Sequence, residues 1–167
     1  MRHPLVLGIF EDRAAAAGGA RALRALGVGE LNLSIVSRSH DEEGALAQEV
    51  GGTPGAEIED SRAASWLGEL SGHLLAAIAL VMPGIGPIVG AGPLSADLAE
   101  AAGHMAGGVA SILTRAGLRP EVAGAWQIRV KQGAVVLGVH VRGLEIDAVR
   151  AALDKSGADD IEIAEWN

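Results

Sequence analysis

With 167 residues, 49% of them apolar and only 2% aromatic, the chain has the size of one compact domain, or of a small domain carrying an insertion. Its formal charge of -8 argues against nucleic-acid binding, which needs Lys and Arg on phosphates, and against a polybasic hold on anionic lipid. It contains no cysteine, so disulfides, zinc–thiolate sites, iron–sulfur clusters and thiol catalysis are excluded within it, and the composition fits a cytoplasmic protein.

The first apolar run, LVLGIF at 5–10, ends at Glu11-Asp12 and reads as a strand. His3 precedes it and reads as part of a mobile start. Asp12 is placed to cap a helix over AAAAGGARALRALG. Ala16, Ala20, Leu23 and Leu26 share one face of that helix, and Gly27 supplies a left-handed stop. LNLSIV at 31–36 alternates Leu31, Leu33 and Ile35 with Asn32 and Ser34, the period of a strand. Residues 37–60 are polar, acidic and Gly-containing, and read as a connector with room for a short helix over 42–50.

Between Leu74 and Ala96 no side chain carries a charge: LLAAIALVMPGIGPIVGAGPLSA. The expectation for this region is an antiparallel helical hairpin, with helices over 61–82 and 94–116 and a Gly/Pro-rich bend at Gly86–Pro87. Gly68–Gly72, Gly86–Gly90 and Gly103–Gly107 are spacings that let two backbones approach closely, although with 24 glycines some arise by chance. A membrane span is the less favoured reading. Glu69 and His73 interrupt one arm, Asp97, Glu100 and His104 the other, and each charge near mid-bilayer costs roughly 2.5–3.5 kcal/mol. Reversible membrane contact stays open as an alternative. A lone hairpin would expose a large small-residue face, so a homodimer or higher oligomer is expected through it.

After the hairpin, Pro120 opens a helix that runs to Gly133. AVVLGVHV at 134–141 is the strongest strand of the chain. His140 alternates with Val139 and Val141, which sets it on the opposite sheet face from them, where it is a candidate for lining an interface. Ile146, Val149 and Leu153 mark an amphipathic helix over 145–156, stopped by Gly157, and DIEIAE at 160–165 alternates as a last strand. The fold class expected is therefore α+β, a ferredoxin-like split βαβ sandwich interrupted by a long Gly/Ala-rich antiparallel helical hairpin. Its parts are the first half-domain at 1–38, the acidic connector at 39–60, the hairpin at 61–117 and the second half-domain at 118–167.

One combination of features is shared with a known group. It comprises the leading VLGIF strand, the Pro83-Gly84-Ile85-Gly86-Pro87 turn followed by Ala91-Gly92-Pro93-Leu94, the helix opened by LRPEVAGAWQIRVKQG, and the trailing VVLGVHV strand. In these the chain resembles the bacterial general stress proteins (heat-induced stress protein, YflT-like) and related glycine-zipper proteins of unknown function. The resemblance implies a stress-associated bacterial protein, often membrane-associated, without an established enzymatic activity. It supplies no catalytic residues.

The candidate site comes from the residues themselves. Glu69-x3-His73 and Glu100-x3-His104 each set a carboxylate and an imidazole one helical turn apart, with Asp97 on nearly the same face. A fold-back at Gly86–Pro87 would bring Glu69 level with His104 and His73 level with Glu100. Carboxylate and imidazole together suit iron, manganese or zinc. The i, i+4 spacing is analogous to the Glu-x-x-His of di-iron bundles without matching it. Three readings stay open: a metal site in iron handling or redox chemistry, a pair of structural Glu–His hydrogen bonds, and exposed residues. His40 beside Asp41, Glu42 and Glu43 reads as solvated surface. Trp66, Trp126 and Trp166 read as packing or interface residues. Gly18-Gly19 lacks the strand–GxGxxG–helix order of a nucleotide fingerprint. Ser65, Ser71, Ser95 and Ser111 have no nucleophile-elbow context.

Overall fold

The computed structural model describes residues 2–29, 32–38, 57–58, 77–82, 86–94 and 108–166. These form an α+β molecule whose elements run β1 (His3–Phe10), α1 (Arg13–Ala25), β2 (Leu33–Arg38), β3 (Glu57–Ile58), β4 (Ala77–Met82), β5 (Gly86–Ala91), α2 (Gly108–Arg115), α3 (Pro120–Lys131), β6 (Val135–His140), α4 (Ile146–Lys155) and β7 (Asp160–Trp166). Among the described residues the strands make one seven-stranded sheet in the order β3-β4-β5-β2-β6-β1-β7. All its pairings are antiparallel.

Local chemistry accounts for the element ends. The Asp12 carboxylate accepts a hydrogen bond from the Ala15 amide at 2.8 Å, closing the first turn of α1. Pro120 opens α3, where its missing N–H costs nothing. Gly27, Gly117, Gly133 and Gly157 follow the four helices with positive φ.

The alternation along the central strands divides the core into two layers. Val6 and Phe10 of β1, Leu33 and Ile35 of β2, and Val135, Leu137 and Val139 of β6 pack against α1 and α4 through Ala16, Ala20, Leu23, Val149 and Leu153. Leu5, Leu7 and Ile9, with Val36 and Val136, pack on the other side against α2 and α3 through Val109, Ile112, Leu113, Ala123, Trp126 and Val130. The four strands β2-β6-β1-β7 thus carry helices on both faces. Such apolar runs, with β6 buried at every residue, are what a sheet covered on both sides requires. Gly19 shows how closely α1 lies on the sheet: a Cβ there would come within 2.6 Å of the Phe10 ring. Of the Gly18-Gly19 pair, Gly19 therefore serves packing, while Gly18 faces open space.

The region 77–91 differs from the expectation. Its described residues form a β-hairpin and not the end of a helix followed by a bend. Ala77 pairs with Ala91, Val81 with Pro87 and Met82 with Gly86. The chain does fold back, but Gly86 already pairs with Met82 and Pro87 sits inside a strand, so Gly86–Pro87 is not the bend. Ile78, Val81, Ile88 and Val89 supply the β-branched content that favours a strand over a helix. β5 continues the sheet by pairing with β2, Ile35 opposite Ala91 and Arg38 opposite Ile88. The second arm is helical at Gly108–Arg115, within the expected span. Residues 61–76 and 95–107 lie outside the described residues. No helix among the described residues is long and apolar enough to cross a membrane.

Candidate functional site

Glu69, His73, Asp97, Glu100 and His104 all lie outside the described residues. Among the described residues, no group of three or more His, Asp or Glu side chains is placed to hold a metal ion. The cross-hairpin alignment of Glu69 with His104 and His73 with Glu100 assumed a bend at Gly86–Pro87. The register of β4 and β5 corrects that assumption.

What the structure does bring together is a pair of histidines at one corner of the sheet. His3 opens β1 and His140 closes β6, and both strands present these rings on the face covered by α2 and α3. His140 is 1% exposed. Its Nδ1 lies 2.9 Å from His3 Nε2. Its Nε2 lies 3.4 Å from Ser34 Oγ, a long contact for a hydrogen bond. Ser34 is fully buried and its Oγ accepts the Leu94 amide at 3.1 Å. Trp166, opposite His3 in the β1–β7 register, meets the His140 ring edge-on with centroids 5.0 Å apart. The corner is closed by the Val141 amide, which donates to the Pro4 carbonyl at 2.8 Å.

The imidazole geometry decides between two chemistries. The ring centres are 5.1 Å apart and the facing nitrogens 2.9 Å apart. The difference is close to the two ring radii, so both nitrogens lie nearly on the line between the rings. Two ligands of one metal aim their lone pairs at a common third point. These aim at each other, which is the arrangement of an N–H···N hydrogen bond. The bonds then run in series in either of two directions. In one, His3 Nε2–H donates to His140 Nδ1, and His140 Nε2–H donates to Ser34. In the other, Ser34 Oγ–H donates to His140 Nε2, and His140 Nδ1–H donates to His3. Burial above all, then the nearby charges of His3 and Arg142, lower the His140 pKa from 6.5 to about 4. The ring is therefore neutral at pH 7.

A serine, a histidine and a third polar group in series also describe an acyl-transfer centre. Here Ser34 has no exposed surface and already receives the Leu94 amide, so a substrate carbonyl has no approach to its oxygen. The arrangement holds and orders protons; it does not present a nucleophile.

Sequence reasoning placed His140 on the correct sheet face and missed its partner. Had the strand been started at residue 3, two-residue alternation would have set His3 on the same face as Leu5, which is paired directly with His140. Of the three tryptophans, Trp126 is a core residue at 2% exposure whose Nε1–H donates to the Asp160 carboxylate at 3.2 Å. Trp166 packs against the same core, and Trp66 lies outside the described residues.

Comparison of the chain with protein-family models, with curated proteins and with solved structures finds no match.

Proposed function

We propose that this chain is a non-catalytic, stress-associated bacterial protein that self-associates through its uncharged central segment. The observation that carries the self-association is the β4–β5 hairpin, which extends the sheet over residues free of any charge. Antiparallel strands with one wet face alternate polar and apolar residues. Every residue of β4, AIALVM, is apolar, without the polar alternation of a wet strand. A second copy of the chain supplies the cover. The finer fold reading is the split βαβ sandwich of ferredoxin-like proteins, supported by the order β2-β6-β1-β7 with α1 and α4 on one face. The stress role rests on the resemblance described above.

Light scattering on the full chain tests the assembly. The unaltered protein is expected to be dimeric or larger at micromolar concentration. Leu80→Lys or Ile88→Lys is expected to give monomers that keep their circular dichroism. A monomeric unaltered protein refutes the proposal. The stress role is tested by whether heat or oxidant raises the amount of this protein in the cell. The metal alternative, with Glu69, His73, Asp97, Glu100 and His104 around iron, manganese or zinc, rests on the residue pairs alone. Its test is elemental analysis of tag-free protein, where bound metal would fall in Glu69→Ala and His104→Ala.

A further inference from the structure

We propose that the outward face of α3 is a second contact between copies of this chain: a weak antiparallel pairing of α3 with its counterpart across a two-fold axis. This contact is separate from the association assigned to β4–β5 and does not rest on it.

The two sides of α3 have different obligations. Ala123, Trp126 and Val130 are buried in the core. On the opposite side, at helical spacing, stand Glu121, Gly124, Ala125, Ile128, Lys131 and Gln132. Ile128 is 58% exposed, more than the other exposed large apolar side chains, Leu26 and Ile163. One turn before it, Gly124 leaves a notch. A glycine inside a helix weakens it relative to alanine. At Gly19 the contact with Phe10 explains that choice, but a Cβ at Gly124 would meet no atom within 4 Å. The missing side chain at Gly124 therefore makes room only on the outside of the molecule.

This face is complementary to itself. In an antiparallel pair centred at the level of Trp126, Ile128 of each copy stands level with Gly124 of the other, and Lys131 with Glu121, because both pairs share that midpoint. The apolar side chain meets the notch twice. The charges match as well, with Glu121 in the first turn and Lys131 in the last. Among the described residues neither of these side chains has an ion pair, so both are uncommitted in the single chain. Antiparallel packing also sets the positive end of each helix dipole beside the negative end of the other. A parallel pairing would instead oppose Glu121 to Glu121 and Lys131 to Lys131. A surface that matches its own copy is what a two-fold contact requires.

The contact is small. The 12 residues of α3 make about 18 Å of helix, which presents less area than a stable dimer buries. Association through α3 alone is therefore expected in the high-micromolar to millimolar range. Between copies already joined elsewhere it acts at a raised effective concentration and carries dimers into larger assemblies.

The test is sedimentation equilibrium on the full chain, unaltered and as Leu80→Lys, from micromolar to near-millimolar concentration. Leu80→Lys, or Ile88→Lys if the first does not fold, removes the central association, and the remaining monomer is expected to dimerise near the top of the range. Glu121→Lys or Lys131→Glu is expected to weaken that step about tenfold or more, since each change acts twice in a two-fold contact and brings like charges together. The double variant, with both charges reversed, is expected to restore it to within about twofold. Ile128→Asp is expected to abolish it with circular dichroism unchanged, because the position is exposed. No association near millimolar concentration, charge reversals without effect, or a double variant no stronger than the single ones each overturns the α3 contact. A micromolar monomer of the unaltered chain bears only on the central association, because the α3 step is read at higher concentration.

Discussion

The two ends of the sheet are built on different terms. At the β7 end, four strands lie between paired helices, and the outermost strand carries Asp160, Glu162 and Glu165. Acidic residues along an edge discourage another strand from adding there. Arg119 pairs with Glu162, Arg129 with Asp159, and Trp126 with Asp160, so that margin is tied to α3. At the other end, β4 and β5 bring no charged residue at all, and the described margin is the two-residue strand β3. One end is enclosed by helices on both faces; the other adds strands built without any charged residue, the segment that the proposed self-association uses.

Substitutions at the two ends of the sheet are expected to act differently. Trp126→Ala, in the self-contained half, is expected to cost about 3–5 kcal/mol in denaturant unfolding, as truncating a buried aromatic does. Its assembly state is expected to stay unchanged. Leu80→Lys is expected to do the reverse, changing mass in solution more than it changes the unfolding of the monomer. Similar behaviour of the two variants would erase the distinction.

The next effect in size is a pH dependence. The folded His140 pKa lies below its unfolded value, so between pH 6.5 and about 4 the unfolded chain binds a proton that the folded chain does not. Stability is therefore full above that window and falls as pH drops through it, by up to ~3 kcal/mol. His140→Phe is expected to flatten this part of the curve. Asp12→Ala is expected to cost ~1 kcal/mol through loss of the α1 cap, visible as a small fall in melting temperature. Arg119→Ala, which breaks an ion pair whose arginine is 73% exposed, is expected to stay within ~0.5 kcal/mol and to vanish in high salt.

Wherever a run had a clear period and punctuated ends, its structure was legible in the sequence. The strands around Leu5–Phe10 and Val135–His140, the cap at Asp12, the start at Pro120 and the stops at Gly27 and Gly157 all follow from local chemistry. The central segment was not legible in the same way. A continuous apolar run fits a buried helix and a strand covered on both faces equally well, because periodicity disappears when every position is apolar. Small residues such as Ala77, Ala79, Gly86 and Gly90 pointed toward close-packed helices, and the pairing of β5 with β2 prevailed instead. The His3–His140 contact was illegible for another reason. The two residues stand far apart in sequence, and their meeting depends on the register of β1 against β6, which no short-range pattern reports.

The join between the two ends passes through Gly92. It has a φ of +82°, and a Cβ there would sit 2.1 Å from the Leu33 carbonyl oxygen and 2.8 Å from Ser34 Cα. Even a methyl group at this point would wedge the chain leaving β5 away from β2, and with it Leu94, whose amide is anchored on Ser34. A single hydrogen atom in the place of a side chain therefore keeps the uncharged strands moored to the rest of the molecule, so any substitution at Gly92 would set them adrift while leaving the helical sandwich standing.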